Sequence, residues 1–562
     1  MTLAIRLCVC IRSQYDAVHM PGKPSVMSDS GNILVTMTNT QEPQNTNTSG
    51  ALAVAKAAAG LKLYDTASHA VSSFTPIKPG QVGIYVCGAT VQSSPHIGHI
   101  RAAVAFDVVR RWFERLGYKV TFVRNVTDID DKILDKAAAA GQQWWERAYI
   151  YEREFTEAYS KLGVEPPTYE PRATGHMIDM IDLIKKIIDN GHAYVVRDAD
   201  GNPTGNVYFD VASWPHYGEL THQKQTAVSD AASEVTDAMG PSVDNAGNDK
   251  YNPVDPADMS PDKHDPRDFA LWKAPKDSDP LDARWNTPFG TGRPGWHIEC
   301  SAMSHRYLKD MFDIHGGGLD LRFPHHENEI AQSEAANGCK FVNYWLHNGF
   351  INIDNKKMSK SLGNFFTVRE AAAVYGYDCI RMFMLMSHYR SPLNYSGEIL
   401  MQAKAALERL RTARSNLEFF IANGRDGAMS EADAAFVQGL DQYREKFDAV
   451  MDDDFNTADA ISVIFEMVRE INTAVSPAAD PSKALAQACL DRFLELCDVL
   501  GIPFGSDSSE DPEAKAIEEK IAARQAARKA KNWAEADRIR DELKAAGIVL
   551  EDTPQGVKWK RA

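Results

Sequence analysis

The sequence predicts an α/β fold, a Rossmann-like parallel sheet followed by a helical bundle and a small C-terminal module. Three observations predict it. Residues 82–126 run strand, helix, strand in their hydrophobic period, and from about Glu370 apolar residues recur at three- and four-residue spacing. The last stretch, 513–562, carries twelve Lys and Arg against nine Asp and Glu, a local +3 in a chain of net charge −16. At 562 residues, 44% hydrophobic and 25% charged, the composition is that of soluble globular proteins and the length that of several domains.

Taken in order, residues 1–62 are rich in Thr, Asn, Ser, Gly and Ala without sustained period and are expected to be a disordered extension, with Met20, Met27 and Met37 leaving a later start open. The catalytic-type domain is expected over 63–370. In it "VGIYVC" (82–87) reads as a short strand, Ile97 to Leu116 as a helix and "KVTFVRNV" (119–126) as a second strand, a right-handed βαβ unit. Ligands bind at the carboxyl ends of such strands, which places Cys87, Gly88, Thr127 and Asp128 on the binding edge. Residues 221–265, with nine acidic and three basic residues, read as a solvated insertion. A connecting stem over 371–400, the bundle over 401–505 ("EILMQAKAALERLRTARSNLEFF", "ADAISVIFEMVREINTAV") and the basic module over 513–562 complete the chain. That module could bind a polyanion, although a solvated helix face is the commoner cause of charge at such spacing.

No apolar run approaches the ~18 residues of a membrane span, and "MTLAIRLCVCIRSQ" is broken by Arg6 with no small-residue cleavage site after it. Eight cysteines over this length make no disulfide framework. A cytoplasmic protein without membrane contact is expected. The net charge argues against nonspecific nucleic-acid binding by the chain as a whole.

Three constellations carry chemistry. "PHIGH" sets His96, Gly98 and His99 at the start of the first helix, where free N–H groups and the dipole favour phosphate and Gly98 admits a flat ligand; two histidines alone could equally decorate a surface helix. "NKKMSKSLGN" (355–364) is a basic loop after the strand-like "GFINI"; Lys357 and Lys360 could reach triphosphate oxygens, though a lysine-rich loop is ordinarily just exposed. In "DIHGGGLDLRFPHHENEIAQS", Pro324 suits a helix start, and His325 and Glu329, four residues apart, project from one helix face, with His326 on the next. With Cys87 and Cys300 they form a set suited to zinc, but no CxxC spacing excludes unrelated buried cysteines.

"HIGH" at a βα turn followed by "KMSKS" is the signature of class I aminoacyl-tRNA synthetases. Together with "YVCGATVQSSPHIGH", "RNVTDIDDKI", "RPGWHIECSAM" and the tail "ARKAKNWAEADRIRDELKAAGIVLEDTPQGVKW", the chain from about 63 to 562 closely resembles the cysteinyl-tRNA synthetase family. The resemblance implies that Cys87, Cys300, His325 and Glu329 hold one Zn²⁺. It implies that Gly88, Thr127, Trp296 and His315 line the amino-acid pocket. His96, Gly98, His99, Lys357 and Lys360 would meet ATP carried with Mg²⁺, with His96, His99 and Lys360 as the catalytic groups. L-cysteine, ATP and tRNA(Cys) are the implied partners, and a monomer the implied state. Two rivals are weighed: an amine-directed cysteine ligase of the mycothiol pathway, which resembles only the catalytic portion and lacks a counterpart of 401–562, and an inactive paralogue, against which the intact motifs argue.

Overall fold

The computed structural model describes residues 60–222, 260–353, 356–357, 366–504 and 512–561. The expected extension therefore lies outside the described residues except at its end, as does most of the 221–265 insertion. Leu61, assigned to the extension by composition, is completely buried, and Lys62 opens the strand Lys62–Asp65. Only the apolar alternation of "LKLYD" could have moved that boundary, and it is too short to carry a period.

The centre is a four-stranded, all-parallel sheet in the order Val342–Asn348, Phe312–Gly318, Gln81–Val86, Lys119–Arg124. Helix Ile97–Arg115 makes the expected crossover between the last two strands. Its buried Ile97, Ile100, Val104, Val108 and Trp112 recur at helical spacing, and the helix gives way to Gly117 at φ 88°. Helices Trp296–Leu308 and Glu327–Asn337 lead into and out of strand Phe312–Gly318.

Sequence reasoning did not foresee a five-stranded antiparallel sheet, which precedes helix Trp296–Leu308 and contains Ala193–Arg197, Pro203–Phe209, Phe269–Lys273, Trp285–Thr287 and Gly290–Pro294. Its strands are interrupted by the stretch read as an insertion, and Thr221 on the near flank donates to Glu327, so that flank belongs to the folded body. Arg293 and Lys276 bind Asp131 at the start of helix Asp131–Ala140 and tie this sheet to the parallel core.

Beyond the sheets the chain is helical, with Gly397–Asn423, Asp441–Met451, Thr457–Ala474 and Lys483–Val499 as the main elements. Completely buried Arg381 joins the halves: its guanidinium donates to Asp107 in the crossover helix and to the carbonyls of Leu162 and Leu500. The C-terminal segment pairs helices Pro512–Lys529 and Trp533–Ala545 with a hairpin, Ile548–Thr553 and Gly556–Arg561, around its own small core of Ile517, Ile521, Ile539, Leu543 and Ile548. Lys558 Nζ lies 4.7 Å from the centre of the Phe420 ring and bonds Asn416, which seats the hairpin on the long bundle helix.

Candidate active site and metal centre

Strand Gln81–Val86 ends at Cys87, whose N–H still bonds Gly316 on the neighbouring strand, so the thiol is delivered to the carboxyl edge. Next to it only glycine fits at 88, because a Cβ there would stand 1.6 Å from the carbonyl oxygen of Asn125. Helix Trp296–Leu308 brings Cys300, and the segment after strand Phe312–Gly318 brings His325 and Glu329. The four donor atoms lie within 4.8 Å of one another. Cys300, His325 and Glu329 are buried and Cys87 is half-buried.

Tetrahedral zinc with donors at ~2.0–2.3 Å sets those donors about 3.3–3.8 Å apart. Cys87 Sγ is 3.6 Å from Cys300 Sγ and 3.3 Å from Glu329 Oε1, and His325 Nε2 is 3.0 Å from Glu329 Oε1, two edges in that range and one just under it. Mixed sulfur, nitrogen and oxygen donors at this spacing fit zinc.

The proton inventory points the same way. Burial opposes ionising Glu329, but His315 and His325 outweigh it and hold the carboxyl down at about 2. Burial likewise pushes the Cys300 thiol up, yet the hydrogen bond from Cys87 and the His325 imidazole bring it to about 6. His325 is raised to about 10 against the effect of burial, chiefly by Glu329. A thiolate and a carboxylate facing one imidazolium leave buried negative charge, which a bound cation offsets.

The outer layer orients the donors. His325 Nδ1 is 2.9 Å from His297 Nδ1, and burial beside His325 keeps His297 far below the ordinary histidine range. Neutral His297 thus accepts the Nδ1 proton of His325, which turns Nε2 toward the cluster. His315 Nε2 lies 2.9 Å from Glu329 Oε2 while its ring stacks on Trp345, so His315 contacts the ligand set itself. Trp296 stacks on His325 at 4.2 Å between centroids.

His326, placed by helical phase on another face, in fact joins the cluster. Its Nε2 is 3.4 Å from Cys87 Sγ, and it leads through Nδ1 to His347 and on to Thr66. Cys87, His315, His326 and Glu329 form a second, overlapping donor group. Helical phase misplaced His326 because the helix expected at Pro324 begins regularly only at Glu327, after one wide turn in which Phe323 is extended at φ −136°, ψ 137°. His297 and His347 were not singled out either, and only the histidine richness of their segments signalled them.

At the crossover helix His96 and His99 are brought together, their rings stacked at 3.4 Å, with the His96 N–H donating to His99 Nδ1. Gly98 sits in that first turn. The His96 backbone also bridges to Thr367, just past the basic loop, and Val368 N–H bonds the Pro95 carbonyl. Lys357 lies in the short strand Lys356–Lys357, paired with Asn352, and Lys360 lies outside the described residues.

A family model described as tRNA synthetases class I (C) catalytic domain matches residues 73–405, a DALR domain matches 446–505 and a cysteinyl-tRNA ligase anticodon binding domain matches 512–559. Among solved structures, Mycobacterium tuberculosis methionyl-tRNA synthetase in complex with methionyl-adenylate superposes with a TM-score of 0.51 at 18% identity, over 75% of this chain and 89% of that one. That likeness concerns the fold. The chain is a class I aminoacyl-tRNA synthetase.

Its relatives narrow the class. The cysteine-tRNA ligase of Bifidobacterium longum is 60% identical over 93% of this chain and 100% of that protein, and that of Halorhodospira halophila 48% over 89% and 99%. The chain belongs to the cysteine-tRNA ligase family.

Proposed function

We propose that this protein activates L-cysteine with ATP and transfers it to tRNA(Cys), with Zn²⁺ held by Cys87, Cys300, His325 and Glu329. The observation that carries the proposal is the convergence of those four side chains beside Gly88 and Thr127 at the carboxyl edge of the sheet. In the first step a carboxylate oxygen of cysteine bonds to the α-phosphorus of ATP and pyrophosphate leaves. In the second a ribose hydroxyl of the terminal adenosine of tRNA attacks the carbonyl carbon and AMP leaves. His96 and His99, at a helix N-terminus, hold phosphate oxygens; Gly98 leaves room for the nucleotide; Lys357 and Lys360 stabilise the charge of the departing pyrophosphate, with Mg²⁺ on the phosphates.

Cysteine differs from serine by one atom, and a hydrophobic pocket separates such isosteres by only about 1–3 kcal/mol. Zinc, when bound, supplies a soft Lewis acid that prefers the substrate thiolate to a hydroxyl. The protein's part is to orient the donors: His297 and His315 hold His325 and Glu329 in place, and Trp296 and Gly88 line the space beside them. The bundle and the +3 module meet the tRNA. Among the described residues no helix is long and apolar enough to cross a membrane; cysteines that make no disulfide framework favour the cytoplasm, and the family resemblance implies a monomer.

Purified protein with ATP, Mg²⁺, labelled cysteine and total tRNA tests the proposal. Acid-precipitable cysteinyl-tRNA, undiminished by excess serine, is expected; pyrophosphate release without charging would transfer the assignment to an amine-directed cysteine ligase.

A further inference from the structure

We infer that Tyr389 is a positioning residue that sets the separation between the helix of His96 and His99 and the strand entering the basic loop, and ties both to the helical bundle through Asp454. The inference rests on the use of ATP proposed above and concerns what fixes the distance between its two phosphate-binding elements. Tyr389 lies past helix Tyr377–Leu385 and is 4% exposed. Its carbonyl accepts twice, from the Gly349 N–H at 2.9 Å and from Arg101 Nη2 at 3.4 Å. Gly349 stands two residues before strand Ile351–Ile353, which pairs with Leu393–Tyr395 on one side and with Lys356–Lys357, at the entry of the basic loop, on the other. Arg101 follows His99 by two residues in the same helix and also donates to the carbonyls of Met384 and His388. It is buried and has no carboxylate partner among the described residues, so these carbonyls are what offsets the burial of its charge. The helix therefore follows any displacement of Tyr389 and its neighbours.

The side chain of Tyr389 faces the other way, to the bundle. Its hydroxyl donates to Asp454 Oδ1 at 3.0 Å, the neighbouring Arg390 Nε donates to Oδ2, and the Tyr64 N–H completes the set on Oδ1. The backbone there is unusual. Asp454 and Phe455, between helices Asp441–Met451 and Thr457–Ala474, are consecutive non-glycine residues in the left-handed region, at φ 60° and 57°. Side chains are disfavoured in that conformation, which persists where surrounding bonds impose it. A turn that merely joined two helices would be served by glycine; aspartate supplies the buried carboxylate that reaches Tyr389. Beyond the basic loop the Val368 N–H bonds Pro95, so both flanks of that loop are referred to one helix. ATP, whose phosphates are shared between the helix and the loop, senses their separation. AMP lacks the phosphates assigned to Lys357 and Lys360 and does not.

Calorimetric binding of ATP with Mg²⁺, and of AMP, to the full-length protein without cysteine separates this role from a structural one. In Tyr389→Phe, which removes only the hydroxyl, the dissociation constant of ATP is expected to rise roughly 3- to 20-fold and that of AMP less than about twofold, with the KM for cysteine unchanged. Thr457→Val is the control, because it cuts a buried bond from the same bundle to the Leu385 carbonyl without touching Tyr389, and it should leave both nucleotides unchanged. Should Tyr389→Phe not fold, Arg390→Lys decides: it loses the Nε bond to Asp454 and should reproduce the selective loss of ATP at smaller size. Equal weakening of ATP and AMP, ATP binding untouched, or the same split in Thr457→Val overturns the inference and leaves the activity assignment standing. Wild-type protein that binds both nucleotides but shows no cysteine-dependent exchange overturns the assignment alone, and wild-type protein that binds neither overturns both.

Discussion

The carboxyl edge of the parallel sheet and the C-terminal module both concentrate ionisable side chains, and they treat them in opposite ways. At the sheet edge His315 and Glu329 have no exposed side-chain surface. In the module Arg538 and Glu535, also paired, are 60% and 40% exposed. Water screens the second pair and contributes little either way, whereas the first carries a desolvation cost that only close partners or a bound cation offset. Buried charge thus needs built partners, whether at the sheet edge or, as with Arg381 and Asp107, between the two halves of the body, while exposed charge belongs to a surface that acts at a distance. Arg524 is the module's intermediate case, nearly buried and bidentate to Asp552.

The contrast can be broken most severely at the buried end. Cys300→Ser is expected to lose bound zinc and at least about a thousandfold of cysteine activation, read by elemental analysis and ATP–pyrophosphate exchange. Full zinc in that variant removes Cys300 from the site. Deleting 513–562 is expected to lower tRNA charging by roughly 10- to 100-fold while sparing the exchange reaction, because the module carries its own core and, on the proposed function, its charge meets the tRNA. Equal loss of both activities would make the module a support for folding.

A third test lies between the extremes. Arg293, buried between Asp131 and Asp279, should cost about 3–5 kcal/mol of unfolding free energy when replaced by alanine, measured by urea denaturation. Burial alone would raise the Asp131 carboxyl, but Arg293 and Lys276 hold it far below the usual aspartate range. Its contribution is therefore present above the unfolded value of about 4 and is lost as pH falls toward the folded one, so the wild-type protein should lose more stability than Arg293→Ala on acidification.

The N-terminal boundary is sharpened by a graded deletion. Removing 1–59 should leave both activities intact, while removing 1–63 also takes away the completely buried Leu61 and Leu63, each worth about 2–5 kcal/mol by the cost of emptying a core site. The smallest effect belongs to the exposed end. Arg538→Ala should leave the melting temperature unchanged and weaken tRNA binding slightly at low salt only, the mark of a screened surface charge.

Much of this was legible in the chain before folding. The βαβ unit of 82–126 could be read because one helical face and two short apolar strands each have a period that a sequence displays. The pairings of His96 with His99 and of His325 with Glu329 could be read from helical spacing; the approach of Cys87 to Cys300 and to the histidine pair was legible only through family motifs, since no local spacing joins residues more than 200 positions apart. Other parts had no period to show. The antiparallel sheet is assembled from short strands on both sides of a long polar stretch, and Leu61 announces its burial only once Asp452 bonds the backbone beside it.

The tertiary structure alone decided the layer around the donors. His326 was assigned by ideal helical phase, but an extended Phe323 and one wide turn swing it to Cys87. His297 and His347 are ordinary letters in a sequence; they bond His325 and His326 only because folding buries them side by side, where each hydrogen bond is a commitment. The sequence by itself determined which atoms can bind a metal or a phosphate. Folding decided which of them are deprived of solvent, and that determines their charge, their orientation and the chemistry they can do.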